Sequence, residues 1–201
     1  MKTSITGLDW TGRAIARSCL LTLIAATGIA TTLPTFANDP ANRFFDSLQQ
    51  LCGARFEGAM TFPADGLDDF AGKLLVAEIG PCSPVEIRIP FAVGEDTSRT
   101  WIISHTSTGL QLQHDHRHAD GKEDAISMYG GMSGPEGSAD TQSFSADAHT
   151  IELIPEAATN IWTISLGDNG NTLTYSLQRH GNPRFEAQLR RAGNPQPDRE
   201  P

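Results

Sequence analysis

The chain has little cysteine, no surplus of basic charge and no long apolar run in its body. Its 201 residues carry 15 Lys and Arg against 24 Asp and Glu, a formal net charge of −9. That balance excludes nucleic acid and anionic membrane surfaces as natural partners. The three cysteines, Cys19, Cys52 and Cys82, form no closely spaced redox motif. GGMSG around Ser133 lacks the Gly-x-Ser-x-Gly spacing of a nucleophile elbow, and no strand-turn-helix context surrounds it. No internal repeat is visible, and only one stretch is convincingly helical.

The one sizeable apolar run lies near the start. Lys2, Arg13 and Arg17 precede it, it extends from Cys19 to about Leu33, and Thr35 and Ala37 follow as small residues. The run is short and broken by Thr and Gly, so a stable membrane span is disfavoured against a secretory signal peptide over residues 1–37. An N-terminal anchor is the alternative. A lipoprotein reading is weaker, because Cys19 comes before the apolar run. Cleavage after Ala37 removes three basic residues and one acidic one, leaving 12 against 23 and a net of −11. One domain over residues 38–191 follows, with a disordered tail at 192–201. The expected destination is the periplasm or the medium, with no stable membrane insertion. In such a compartment Cys52 and Cys82 are expected to form a disulfide.

NRFFDSLQQLCG, residues 42–53, places Phe44, Phe45, Leu48, Leu51 and Cys52 at helical spacing, with Gly53 as a stop. After it the chain reads as strand and turn. FEGAMTF, KLLVAEIG, VEIRIPFAV, TWIISHTS, LQLQHDHRH and AISMYGG are followed by TQSFSA, TIELIPE, NIWTISLG, TLTYSLQRH and RFEAQLRR. Short strands at close spacing indicate an all-β antiparallel meander, closed as a barrel or folded as a sandwich. With a single leading helix, an up-and-down β-barrel of roughly eight to ten strands is favoured. The Gly/Ser-rich segment from Gly130 to Asp140 reads as a mobile loop.

LQLQHDHRHADGKEDAISMYGG carries three of the six histidines at alternate positions: His114, His116 and His118. Side chains alternate on a strand, so these share a face with Leu110 and Leu112, the face expected to point inward. Ala119-Asp120-Gly121 suits a three-residue hairpin loop. That loop sets His118 opposite Lys122, Arg117 opposite Glu123, His116 opposite Asp124 and His114 opposite Ile126. It also leaves Tyr129 outside. Two histidines at alternate positions stand about 6.5 to 7 Å apart, close enough to share a metal, whereas the outer two stand about 13 Å apart. A metal site would therefore use two histidines and a further ligand; His114, His116 and Asp124 are the candidate set. A divalent transition metal such as zinc or copper, or iron, suits those donors. A haem would need one axial histidine and an apolar cavity. The same face could instead line the pocket of a small-molecule ligand, or be a solvated rim. Arg99 and Trp101, at the start of another strand, are further ligand-binding candidates beside His114, His116 and His118. His105, His149 and His180 are isolated, and Asp68-Asp69 sits in a turn.

The words FFDSLQQLCGARFEG, DDFAGK, IRIPFAVGEDTSRTW, HDHRHADGKEDA and YGG resemble a family of secreted proteobacterial proteins of unknown function, over Phe44 to about Arg190. The resemblance implies export and a shared fold, and transfers no site residue. The helix-plus-meander layout also resembles calycin-type barrels, the lipocalins and their relatives, which hold small apolar ligands or haem; that likeness concerns fold alone.

Three functions follow from these residues. An exported barrel binding a small ligand or metal near the HDHRH hairpin comes first. A metal-dependent lyase or hydrolase is the second, and an envelope-interaction protein without a small-molecule site is the third. A metal or haem on the histidines predicts a stoichiometric cofactor in mature protein purified without a histidine tag. Elemental analysis and an absorption spectrum would detect it, and His116→Ala would lose it.

Overall fold

The computed structural model describes residues 39–63 and 69–193. The expected signal peptide, and the expected tail beyond Gly193, lie outside the described residues. Helix α1 spans Pro40–Gln50 and starts on Asp39, whose side chain accepts from the Ala41 backbone N–H. Pro40 at the first helical position suits that start, since its missing N–H would have no helical partner there.

Ten strands follow: β1 Arg55–Phe62, β2 Leu75–Glu78, β3 Glu86–Val93, β4 Asp96–Thr106, β5 Gly109–His116, β6 Tyr129–Gly137, β7 Thr141–Ala146, β8 Ile161–Gly167, β9 Thr172–Arg179 and β10 Asn182–Arg191. Each pairs antiparallel with its sequence neighbours, and β1 pairs with β10, so the meander closes into a barrel. The up-and-down barrel expected from the strand spacing is the observed architecture.

Inward residues alternate with outward ones along the strands, as in β8, where Trp162, Ile164 and Leu166 are buried between half-buried neighbours. Helix α1 packs beside the barrel end formed by the last residues of β4 and the first of β5. Phe44, Phe45 and Leu48 are buried there, and Phe45 lies 4.2 Å from the His105 ring. Each of these apolar side chains contributes about 1.5 to 3 kcal/mol through burial. Cys52 and Cys82 form the expected disulfide, tying the chain after α1 to the approach of β3.

Three expectations are corrected. TIELIPE is not a strand. Helix α2, Ala148–Leu153, starts on Asp147, whose carboxylate accepts from Thr150 N at 2.8 Å, and a 3-10 turn follows at Pro155–Ala157. The Thr150 hydroxyl then bonds both the N–H and the carbonyl of Gly130, fixing α2 to the barrel wall. Secondly, the segment from Gly130 is not a loop but most of β6. Glycine is required by close approach: a Cβ on Gly130 would fall 1.8 Å from the Leu112 carbonyl oxygen, and one on Gly131 would fall 2.1 Å from that of Ser145. Thirdly, AISMYGG is strand only from Tyr129 onward.

Replacing both Cys52 and Cys82 by serine is expected to lower unfolding free energy by about 3 to 4 kcal/mol on the chain-entropy model. The 30-residue separation sets that magnitude. Urea denaturation of the pair variant reads it; an unchanged midpoint would show that the link adds no stability.

Candidate functional site

The barrel end away from α1 holds a cavity of about 400 Å³. Strand register builds it. Trp101 of β4 pairs with His114 of β5, which pairs in turn with Tyr129 of β6, while Arg99 pairs with His116. On the facing side Trp162 of β8, Tyr175 of β9 and Phe185 of β10 point into the same space.

One wall is a stack of rings. Phe91, Trp101 and Tyr175 follow one another at 4.4 Å between centroids, with interplanar angles of 23° and 22°. Beside this stack His114 lies on Tyr129 at 4.7 Å and 12°, with Trp162 at 5.4 Å from His114. Aromatic rings thus make up much of the cavity lining. The mouth is polar. Arg99, Arg179 and Arg184 line it, with His116 and Asp124. Arg99 is ion-paired to Asp96 and lies over the Phe70 ring at 5.5 Å. Arg179 donates from Nε to Asn160 Oδ1 at 2.8 Å. Arg184 has no ion-pair partner among the described residues.

His114 is the most constrained polar group. It is 3 % exposed. Its Nδ1 lies 3.1 Å from the Tyr129 carbonyl oxygen and its Nε2 lies 2.7 Å from the Tyr175 hydroxyl. Burial pushes its pKa down to about 3; repulsion from His116 adds to this, and the bond to the Tyr129 carbonyl opposes it. Burial likewise lowers His116 and raises both Tyr129 and Tyr175. Asp96 is held down at about 2, chiefly by hydrogen bonding from Ser98 and then by Arg99. At neutral pH the inner walls are therefore uncharged and the mouth is cationic.

The predicted hairpin is present at its tip. His118 N donates to the Lys122 carbonyl, Arg117 bridges Glu123, and Asp124 N donates to the His116 carbonyl. The register then changes. Residues 125–128 leave the ladder, with Met128 at φ +58°, so His114 faces Tyr129 instead of Ile126. Tyr129 turns inward for that reason, against the expectation.

Arg99, Trp101, His114, His116 and Asp124 all line the cavity, whereas His118 does not. Strand β5 ends at His116, and the His118 side chain is 58 % exposed, 3.7 Å from Asp124. Nor does the geometry gather His114, His116 and Asp124 as metal ligands. Both His114 nitrogens already have partners within the protein, and His116 Nε2 lies 3.3 Å from the Tyr129 hydroxyl. Among the described residues no three His, Cys, Asp or Glu side chains are grouped to hold a metal ion.

No family model matches the chain, and no curated protein matches it in sequence. Among solved structures it is similar to a mutant of the fluorescent protein UnaG, at 12 % identity and a TM-score of 0.38. That similarity covers 76 % of this chain and 89 % of the other. A likeness of this size bears on no ligand and no site residue.

Sequence reasoning missed Tyr129, Trp162, Tyr175, Phe185 and the two arginines of the facing strands. For Arg179 a signal existed. It continues the inward face of Leu173, Tyr175 and Leu177, just as the histidines continue that of Leu110 and Leu112. Arg184 gave none, because an irregularity between Pro183 and Phe185 brings it to the mouth.

His114 predicts a pH dependence. Its pKa is about 3 when folded and near 6.5 when unfolded, so below pH 6.5 the unfolded chain takes up the proton first. The contribution is complete above pH 6.5 and is lost as pH falls towards 3, by at most about 1.4 kcal/mol per pH unit. His116 acts in the same direction. Denaturation of wild type and His114→Gln between pH 7 and 4 checks this; equal slopes would refute it.

Proposed function

We propose that the protein is an exported binding protein for a small, flat, apolar acid. The observation that supports this most is the composition of the mouth. In a chain with a net charge of −9, three arginines and one carboxylate surround the opening of an aromatic cavity. Arg184 is left without an ion-pair partner among the described residues. Guanidinium groups bind carboxylates through paired, charge-assisted bonds. Aromatic rings in the lining favour a flat apolar body. The disulfide agrees with an oxidising compartment.

A metal-dependent lyase or hydrolase has less support. His114, the best-placed ligand, is bound on both nitrogens.

2-Naphthoic acid is a suitable probe, with its methyl ester as the uncharged control. Calorimetric titration is expected to show the acid binding and the ester binding at least about tenfold more weakly, since a charge-assisted bond contributes about 1.5 to 3 kcal/mol. Arg179→Ala and Arg184→Ala should each weaken the acid by about tenfold and leave the ester unchanged. His118→Ala should alter neither. Equal binding of acid and ester, or binding of neither, would reject the proposal.

A further inference from the structure

We infer that the inner end of the cavity recognises a hydrogen-bond donor on the ligand, a hydroxyl or an N–H, and discriminates against an acceptor at that point. This deepens the ligand-binding proposal above and rests on it.

The argument follows the protons. A backbone carbonyl only accepts, so His114 Nδ1, at 3.1 Å from the Tyr129 oxygen, must carry a hydrogen. A neutral imidazole carries one, which leaves Nε2 as a bare acceptor. The Tyr175 hydroxyl at 2.7 Å therefore donates to it. A phenol has one proton, and Tyr175 has spent it. Only oxygen lone pairs remain for whatever enters the cavity, and the hydroxyl has no other partner among the described residues. A cationic His114 would reverse this, because both nitrogens would then donate. The ring is buried among Trp162, Tyr129 and Tyr175, with no carboxylate bonded to it among the described residues, and burial denies it that charge.

Position gives the inference its specificity. Tyr175 and Arg179 share one face of β9, four residues apart, so their Cα atoms stand about 13 Å apart along the strand, with Arg179 toward the mouth. A ligand satisfying both ends has an anion outside, a donor inside and a flat body between. A ligand that presents a carboxylate or ether oxygen to Tyr175 meets a lone pair and leaves both oxygens unsatisfied.

The test uses three probes of one shape: 2-naphthoic, 6-hydroxy-2-naphthoic and 6-methoxy-2-naphthoic acid, titrated calorimetrically into wild type, Tyr175→Phe and His114→Leu. Wild type is expected to bind the hydroxy acid roughly tenfold or more tightly than the other two. Tyr175→Phe should erase that preference. In His114→Leu the Tyr175 proton is released to the cavity, so preference should shift toward the methoxy acid, which also separates proton direction from a mere effect of size. If wild type binds the methoxy acid as well as the hydroxy acid, the inference is overturned while the binding proposal stands. If wild type binds none of the three, both fall. Circular dichroism establishes that each variant is folded, and should either variant fail to fold, the wild-type comparison alone decides.

Discussion

Alternation of side chains around a closed ring of ten strands governs everything else in this protein. A ring of that size encloses more room than its own inward side chains fill along the whole axis. The sequence meets this differently at the two ends. At one, α1 lays Phe44, Phe45 and Leu48 against the strands, and a disulfide fixes the chain that leaves it. At the other, large rings line the walls and leave a cavity. The proposed binding site is thus the part of the barrel interior that is not packed solid.

Within that end, one buried imidazole couples several elements. His114 joins the backbone of β6 to the side chain of β9 through its two nitrogens. Its contacts hold the ring of Tyr129 parallel to its own and bring Trp162 near. A polar group buried so deeply persists only when its bonds are complete. The same two bonds that satisfy it settle which atom carries each proton. Stability and the proposed ligand preference therefore rest on one tautomer.

Much of this was legible in advance. Period-two alternation in segments such as Ile87 to Val93 and Leu173 to Leu177 reported inward faces, and Asp120-Gly121 reported the turn. The same alternation puts His114 and His116 on the cavity face of β5, while His118 lies beyond the strand's end. What failed depended on distant neighbours. Ile126 and Met128 supplied an apolar pattern for a register that residues 125–128 do not follow. Gly130 and Gly131 looked like loop residues, because only the approach of the β5 and β7 backbones shows why side chains are excluded. TIELIPE had strand-like alternation, but Asp147 with Thr150 three residues later is a helix-start signal, and it prevailed. Arg99 and Trp101 were readable as a strand-start pair. That Arg179 and Arg184 meet them at one mouth was not, since sequence does not report which strands face each other.

The tryptophans of the described barrel have a consequence of another kind. Trp101 of β4 and Trp162 of β8 both line the cavity, and the third, Trp10, belongs to the segment expected to be cleaved. Indole emission from the mature chain then originates wholly from the cavity lining. A ligand in the proposed site would then report its own occupancy, with neither label nor engineered residue, by altering the surroundings of both indoles of the described barrel.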